Sequence, residues 1–292
     1  MDKEKILLAG KIALQVRDWI KPQIKKDMLL LELAEKIEDK IVKLGGKPAF
    51  PTNLGINDMT AHYTPAYNDE AKAKGLLKID FGVCVDGWLS DTAFSVDLEN
   101  SEENKKLIEV AEKALENAIE IINSKTSLGE VGKIIQQTIE SKGLVPIANL
   151  TGHSIEKYEL HSGKTIPNIA NKNPRLFGTG IFAIEPFVTK GNGRVYEGKP
   201  SGIYSLQNTK NTRSQIAREV LEFISEEYST LPFCSRWIVK KFGTKSLFGL
   251  RELEKNGNLH QYPQLIESSH NNVAQSEHTI FIEKDKTIVT TG

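Results

Sequence analysis

The chain has 292 residues, enough for one large domain or two small ones with a sizeable core. Its 38 lysines and arginines balance its 38 aspartates and glutamates, and this neutral charge speaks against a nucleic-acid-binding protein or a polybasic membrane anchor. Cys84 and Cys234 lie far apart, which predicts no disulfide framework and fits a reducing cytoplasm. The amino-terminal segment predicts a helix and not a signal peptide, and no run reaches the roughly 18 apolar residues of a membrane span.

Four amphipathic helices are predicted in the first half of the chain, as two similar pairs. They cover Lys5–Ile20, Leu29–Leu44, Glu102–Asn123 and Ser127–Glu140. In each pair a helix is followed by a break, a second helix, a glycine stop and an apolar segment with strand character. This repeat predicts two similar α/β halves, with an active site between them.

A hairpin is predicted over Lys78–Val96, where apolar and polar residues alternate on both sides of Asp86-Gly87. A two-residue turn there pairs Gly82 with Asp91 and puts Asp80 on the same face, diagonal to Asp91. Two carboxylates on one face of an apolar hairpin are costly unless a cation meets them, and a pair of metal ions would do so. Two solvated aspartates on an exposed face are the alternative.

The other ligand-type residues stand in short loop or strand segments. His62 lies in Lys47–Pro65, and a lone loop histidine is more typical of a hydrogen-bonding role than of a ligand. Two further histidines, His153 and His161, lie eight residues apart, with glycines that disfavour one regular strand. Each of two apolar, strand-like runs carries one carboxylate, and these are Glu185 in Gly180–Val188 and Glu277 in Asn272–Ile282. A buried glutamate needs a cation or other partner, or else it is protonated.

A helical segment of different character lies between Tyr204 and Pro263. Helices are predicted over Arg213–Ser229 and Pro232–Leu250, followed by a turn-rich Leu253–Tyr262. The alternative of a DNA-reading helix-turn-helix is disfavoured, because the candidate recognition helix Ser235–Phe242 is short and apolar.

The chain thus offers four carboxylates and one imidazole as ligand-type residues: Asp80, Asp91, His153, Glu185 and Glu277. Such a donor set suits divalent Mn, Fe, Co or Zn and does not suit a soft thiolate site. Spacing alone does not select these five from 38 acidic residues and six histidines.

Five motifs, in order along the chain, make it resemble the methionine aminopeptidases of type 2, in their short archaeal-like form. They are AHYTP after Phe50, KIDFG with SDTAF, GHSI with LHSGKTIP, AIEPF, and AQSEHT. The resemblance implies the α/β (α+β) pita-bread fold, with two pseudo-symmetric halves around a dinuclear metal site. It further implies a catalytic domain of residues 1–204 plus 265–292 and a helical, winged-helix-like insertion of residues 205–264. No amino-terminal extension of the eukaryotic kind is expected.

The resemblance also implies a role for each site residue. Asp80 would chelate one metal ion, Asp91 and Glu277 would bridge two, and His153 and Glu185 would complete the other shell. Glu185 would also assist proton transfer. His62 and His161 would hydrogen-bond the scissile amide and the developing oxyanion. The methionine pocket would be lined by Phe50, Ile203 and Tyr262.

The implied activity is metal-dependent removal of the initiator methionine when the second residue is small. The expected cofactors are two divalent ions, Co, Mn, Fe, Zn or Ni, that activate a water molecule between them. The expected partners are peptides and nascent chains with amino-terminal methionine, together with the ribosome. No membrane and no specific nucleic acid are expected, and the protein is expected to be a cytoplasmic monomer.

Three residues depart from the family pattern: Gly55 in place of serine, Thr60 in place of alanine, and Ser276 in place of an aromatic residue. Ser276 would leave more room next to the metals. Cys84 is expected near the site but not as a ligand. Two rival functions are a prolidase or aminopeptidase P, which carries an extra amino-terminal domain, and a non-catalytic relative, which tends to lose metal ligands.

Overall fold

The structure is a computed structural model that describes residues 1–284 and 286–292. Its helices are α1 Lys3–Ile20, α2 Leu30–Lys43, α3 Glu102–Ile121, α4 Leu128–Glu140, α5 Gln215–Glu227, α6 Ser235–Phe242 and α7 Ser246–Lys255. Its strands are β1 Lys47–Pro48, β2 Asn53–Ile56, β3 Met59–Ala61, β4 Leu76–Val85, β5 Trp88–Asp97, β6 Val145–Pro146, β7 Thr151–Ile155, β8 Thr165–Pro167, β9 Gly180–Ile184, β10 Phe187–Thr189, β11 Val195–Leu206, β12 Phe233–Cys234, β13 Leu259–Glu267, β14 Val273–Gln275, β15 Glu277–Glu283 and β16 Lys286–Val289.

Four of the helices, α1, α3, α4 and α5, begin where a short polar side chain accepts a hydrogen bond from a free backbone N–H group. Asp2, Ser101 and Ser214 cap α1, α3 and α5 in this way. Ser127 caps α4 in a capping box, in which Glu130 bonds back to the Ser127 backbone. The four helices predicted in the first half of the chain are thus present, with ends that differ by one or two residues.

A nine-stranded sheet forms the centre of the molecule. Seven strands follow the order β1-β4-β5-β15-β9-β7-β8, while β2 also pairs with β4 and β16 with β15. The helices α1 and α2 bury their apolar faces against the β4–β5 side, and α3 and α4 bury theirs against the β9–β15 side. The two halves join where β5 pairs with β15, at Ala93 opposite Glu277. The predicted α/β fold of two similar halves is confirmed.

The insertion has an apolar core of its own. The helices α5, α6 and α7 pack against a four-stranded sheet of order β12-β11-β13-β3. The single helix predicted over Pro232–Leu250 is wrong, because it is two helices separated at Gly243, whose φ of +74° favours glycine. The turn-rich Leu253–Tyr262 was also wrongly predicted, since it holds the end of α7 and the start of β13.

The division at residues 204/205 and 264/265 stays a prediction. The strand β11 crosses the first boundary and β13 crosses the second. They pair with each other from Val195 opposite Glu267 to Leu206 opposite Leu259, and β13 also pairs with β3 near His62. Within the described residues, none of the helices combines the length and apolar character that crossing a membrane requires.

Candidate metal centre and substrate cavity

The hairpin β4–β5 has the predicted register. Val85 pairs with Trp88 across Asp86-Gly87, and Gly82 pairs with Asp91. Both turn residues have positive φ, +50° and +87°, as a tight hairpin turn of this type requires. Asp80 and Asp91 therefore lie diagonally on one face of the hairpin.

Gly82 lies on the same face as the two aspartates, and the space left by its missing side chain is filled by another residue. A Cβ at this position would lie 2.5 Å from Cε1 of Phe50 and 2.7 Å from the Ser90 carbonyl oxygen. The absent side chain therefore admits the Phe50 ring, which lines the cavity beside the aspartates.

Five neighbouring strands of the central sheet bring the predicted ligands together. The residues are Asp80 on β4, Asp91 on β5, Glu277 at the start of β15, Glu185 directly after β9, and His153 on β7. His153 Nε2 lies 3.5 Å from Asp91 Oδ2 and 3.8 Å from Glu185 Oε1. Ligand atoms of Asp91, His153 and Glu277 all lie within 4.8 Å of one another, so these three buried side chains can hold a metal ion.

The four carboxyl groups strongly disfavour ionisation together. Burial, and then repulsion from Asp91, raise the pKa of Asp80 and of Glu185 well above the usual range. The same two causes raise the pKa of Glu277, and burial raises the pKa of Asp91 to about 7. Burial also lowers the pKa of His153 to about 4, so its imidazole is neutral and free to act as a ligand.

The buried carboxyl groups have oxygen atoms with no protein partner. Asp80 Oδ1, Asp91 Oδ1 and Glu277 Oε2 are buried without a hydrogen bond. No lysine or arginine of the described chain forms an ion pair with any of the four carboxylates. Unpaired buried carboxylates are expensive unless a cation binds them. The donor set therefore fits divalent metal ions.

Two more histidines face the same cavity. The His161 ring lies 4.3 Å from the His153 ring and is exposed to solvent in the open cavity, while partial desolvation, with the charges of His153 and His62, lowers the pKa of His161. Burial likewise lowers the pKa of His62, whose Nδ1 lies 3.1 Å from the Pro263 carbonyl oxygen. Because a carbonyl oxygen only accepts, Nδ1 carries the proton of the neutral ring and Nε2 is left as an acceptor.

The His62 backbone adopts a left-handed conformation, with φ of +60°. Such a conformation costs a non-glycine residue roughly 1–3 kcal/mol and is concentrated at functional sites. It occurs where the chain leaves β3, and it turns the His62 ring toward Tyr262, with the ring centroids 5.6 Å apart.

All ten residues predicted for the site line one cavity of about 430 Å³: Phe50, His62, Asp80, Asp91, His153, His161, Glu185, Ile203, Tyr262 and Glu277. The lining also includes residues that sequence reasoning missed, among them Pro51, Asn53, Asn149, Leu160, Lys164, Pro232 and Leu265. Leu160 and Lys164 belong to the motif LHSGKTIP, which also contains His161, so this motif was a signal that could have identified them. Pro232 gave none, because it stood at the start of a predicted helix.

The residues that depart from the family pattern lie outside this set. Gly55, Thr60 and Ser276 are not among the described residues that line the cavity. Cys84 is also absent from the lining and instead faces a second cavity, next to Lys47 and Trp237. The three departures thus contribute no side chain to the described walls of the cavity.

Comparisons with known proteins show the family of the chain. The model of metallopeptidase family M24 matches residues 4–284. The chain is 46% identical to a methionine aminopeptidase of Pyrococcus abyssi, with all of both chains covered. It is 43% identical to one of Methanocaldococcus jannaschii, covering 99% of this chain and 98% of the other.

The fold also matches a solved structure. A methionine aminopeptidase from Thermotoga maritima superposes with a TM-score of 0.71 at 22% identity, covering 99% of this chain and 95% of that one. The full-length matches and the cluster of buried carboxylates lead to one conclusion. The chain belongs to metallopeptidase family M24 and, within it, to the methionine aminopeptidases.

Proposed function

We propose that the chain removes the initiator methionine from peptides and nascent proteins whose second residue is small, with two divalent metal ions in the cavity. Asp80 would hold one ion, His153 and Glu185 the other, and Asp91 with Glu277 both. When bound, the ions would supply Lewis acidity and a water molecule that is activated at neutral pH. The observation that carries this proposal is the convergence of four carboxylates, two buried and two partly buried, that have no lysine or arginine partner in the described chain.

The side chains around these ligands have separate tasks in this proposal. Glu185 Oε1 accepts the proton that the attacking water loses. Neutral His161 donates a hydrogen bond to the oxygen that gains charge, an interaction that is strongest in the transition state. His62 Nε2 accepts a hydrogen bond from the substrate amide, because its Nδ1 proton is directed at Pro263.

The apolar side of the cavity would take the methionine side chain. Phe50, Ile203 and Tyr262 line it, and Phe50 and Ile203 are buried. An apolar pocket of this kind discriminates by about 1–3 kcal/mol per methylene, so selectivity for methionine over leucine should be clear but finite. Co, Mn, Fe, Zn and Ni remain the candidate metals, since each suits a site rich in oxygen donors.

We further propose that the protein works as a monomer in the cytoplasm, at or near the ribosome. Both cysteines are free and buried, which is compatible with a reducing compartment. In this proposal the catalytic domain comprises residues 1–204 and 265–292, and residues 205–264 form the insertion. The separate apolar core of α5, α6 and α7 supports this division.

The test is methionine release from defined peptides by the full-length chain. After loading with Mn, Co or Fe, it should release free methionine from Met-Ala and Met-Gly peptides, and not from the same peptides with an acetylated amino terminus. Cleavage of Xaa-Pro peptides in preference to Met-Ala peptides would identify a prolidase-type enzyme instead. Metal binding without any peptide hydrolysis would favour a non-catalytic relative.

A further inference from the structure

A buried ion pair joins the insertion to the amino-terminal half of the molecule. The guanidinium of Arg236, on α6, donates to both carboxylate oxygens of Glu38, on α2, at 2.7 and 2.8 Å. Glu38 is 6% exposed and Arg236 is 2% exposed. Trp237 Nε1 donates to the same carboxylate at 2.8 Å. The pair is therefore both desolvated and bidentate, the geometry in which such a bond is strongest.

The same two side chains hold the segment Phe50–Pro65, here called the pocket loop. The Thr52 backbone N–H donates to Glu38 Oε1 at 3.2 Å, and Arg236 Nε donates to the Pro65 carbonyl oxygen at 3.0 Å. Glu38 and Arg236 thus contact both ends of the loop. Phe50 lies at its start and His62 near its end, and both line the substrate cavity.

The pair is also close in sequence to a second part of the cavity wall. Arg236 lies two residues after Cys234 of β12, which pairs with Ile203 of β11. Ile203 and Pro232, which comes just before β12, both line the cavity. The Glu38–Arg236 pair is therefore connected to two segments of the wall that are far apart in sequence.

A buried ion pair is a poor source of stability by itself, because desolvation offsets its attraction, and well-packed apolar residues in its place are often neutral or stabilising. Its hydrogen bonds do, however, fix positions. We propose that Glu38 and Arg236 are positioning residues that set the width of the methionine pocket and thereby its selectivity. This inference rests on the proposed function, since it concerns the same cavity.

Two sets of variants separate positioning from stability. Glu38→Gln keeps the shape of the side chain but removes the charge, and it turns an amide N–H group toward the guanidinium. The double variant Glu38→Met with Arg236→Met replaces the pair by apolar side chains that can still pack in the core. It therefore tests the loss of the hydrogen bonds to the pocket loop without leaving a buried charge. The matched control is Glu227→Gln, which removes an exposed ion pair to Lys47 that also joins the insertion to the amino-terminal half.

Selectivity is the first readout, because a purely structural role would not change it. In both sets of variants the ratio of kcat/KM for Met-Ala over Leu-Ala peptides should fall about 10-fold. KM for Met-Ala should rise more than kcat falls, because the His62 ring keeps its own bond to Pro263. Glu227→Gln should match the unsubstituted chain in both respects.

Amide hydrogen exchange of the pocket loop is the second readout and needs no substrate. The Thr52 amide and its neighbours should exchange faster in both sets of variants, but not in Glu227→Gln. An unchanged selectivity ratio and unchanged exchange in a folded double variant would overturn the inference. If the unsubstituted chain released no methionine, the proposed function would fail, while exchange would still decide whether the pair positions the loop.

Discussion

Replacing Asp91 by asparagine should abolish tight metal binding and yet stabilise the metal-free protein, increasingly so as the pH rises. The carboxyl group is 4% exposed, lies among three other carboxyl groups, and has one oxygen without a partner. Without metal, its negative charge opposes folding. Asparagine has nearly the same shape and carries no charge, so the variant removes this penalty along with the metal ligand.

The magnitude follows from the pKa of Asp91, which burial raises from 3.8 to about 7. Between these values the folded protein holds a proton that the unfolded chain has lost, so stability falls as the pH rises and levels off above about 7. Between pH 5 and about pH 7 the free energy of unfolding falls by about 1.4 kcal/mol per pH unit, and it then stays level to pH 8. The total decrease is about 3 kcal/mol. The asparagine variant should gain at least that amount relative to the unsubstituted chain over the same interval, because it also removes the repulsion that Asp91 exerts on Asp80, Glu185 and Glu277.

Urea unfolding in a chelator, at pH 5, 6, 7 and 8, measures this difference. Taking the difference between the two proteins cancels the titration of groups that both share, such as the buried Lys78, whose pKa burial lowers to about 7. Asp86→Asn is the control, because Asp86 is exposed at the hairpin turn and Lys5 lowers its pKa. Its difference from the unsubstituted chain should be flat over this interval. A flat or decreasing difference for Asp91→Asn would refute the reasoning.

Three further substitutions test separate parts of the site. His161→Ala should lower kcat by about 10²–10³ with the metal content unchanged, and a loss of metal would make His161 a ligand instead. Ile203→Ala should raise KM for methionine peptides about 10-fold with little change in kcat, and an unchanged KM would remove it from the pocket. Gly82→Ala should lower the free energy of unfolding by about 1–3 kcal/mol, because the added Cβ would overlap Phe50 and the Ser90 carbonyl oxygen. A free energy of unfolding in urea equal to that of the unsubstituted chain would contradict this.

Local sequence signals predicted the parts of the fold whose cause is local. The register of β4 and β5 follows from alternation around Asp86-Gly87, and the four helices of the first half follow from apolar spacing and glycine stops. The break between α6 and α7 was missed, because Pro232–Leu250 has continuous helical character. From sequence alone, Gly243 cannot be distinguished from a glycine inside an unbroken helix. The strand β13 was missed as well, since its pairing with β11 and β3 is a contact between distant segments.

The candidate site shows the same limit more sharply. Asp80 and Asp91 lie on one hairpin, so its register predicts that they are close. His153, Glu185 and Glu277 reach them only because strands distant in sequence are neighbours in the sheet. The family resemblance selected these residues, and spacing could not. Nothing in the sequence pointed to Glu38 and Arg236, because a charged residue on an amphipathic helix normally predicts a solvated face. Their burial becomes visible only when α2 and α6 are placed against each other.

The central claim is that five side chains from both halves of the molecule bind two divalent ions. Metal analysis of the full-length chain, purified without oxygen and compared with Asp91→Ala, tests it most directly. We predict two ions per unsubstituted chain and neither ion in the variant, since Asp91 would contact both. An Asp91→Ala protein that retains both ions, or an unsubstituted chain that binds none, would contradict the account.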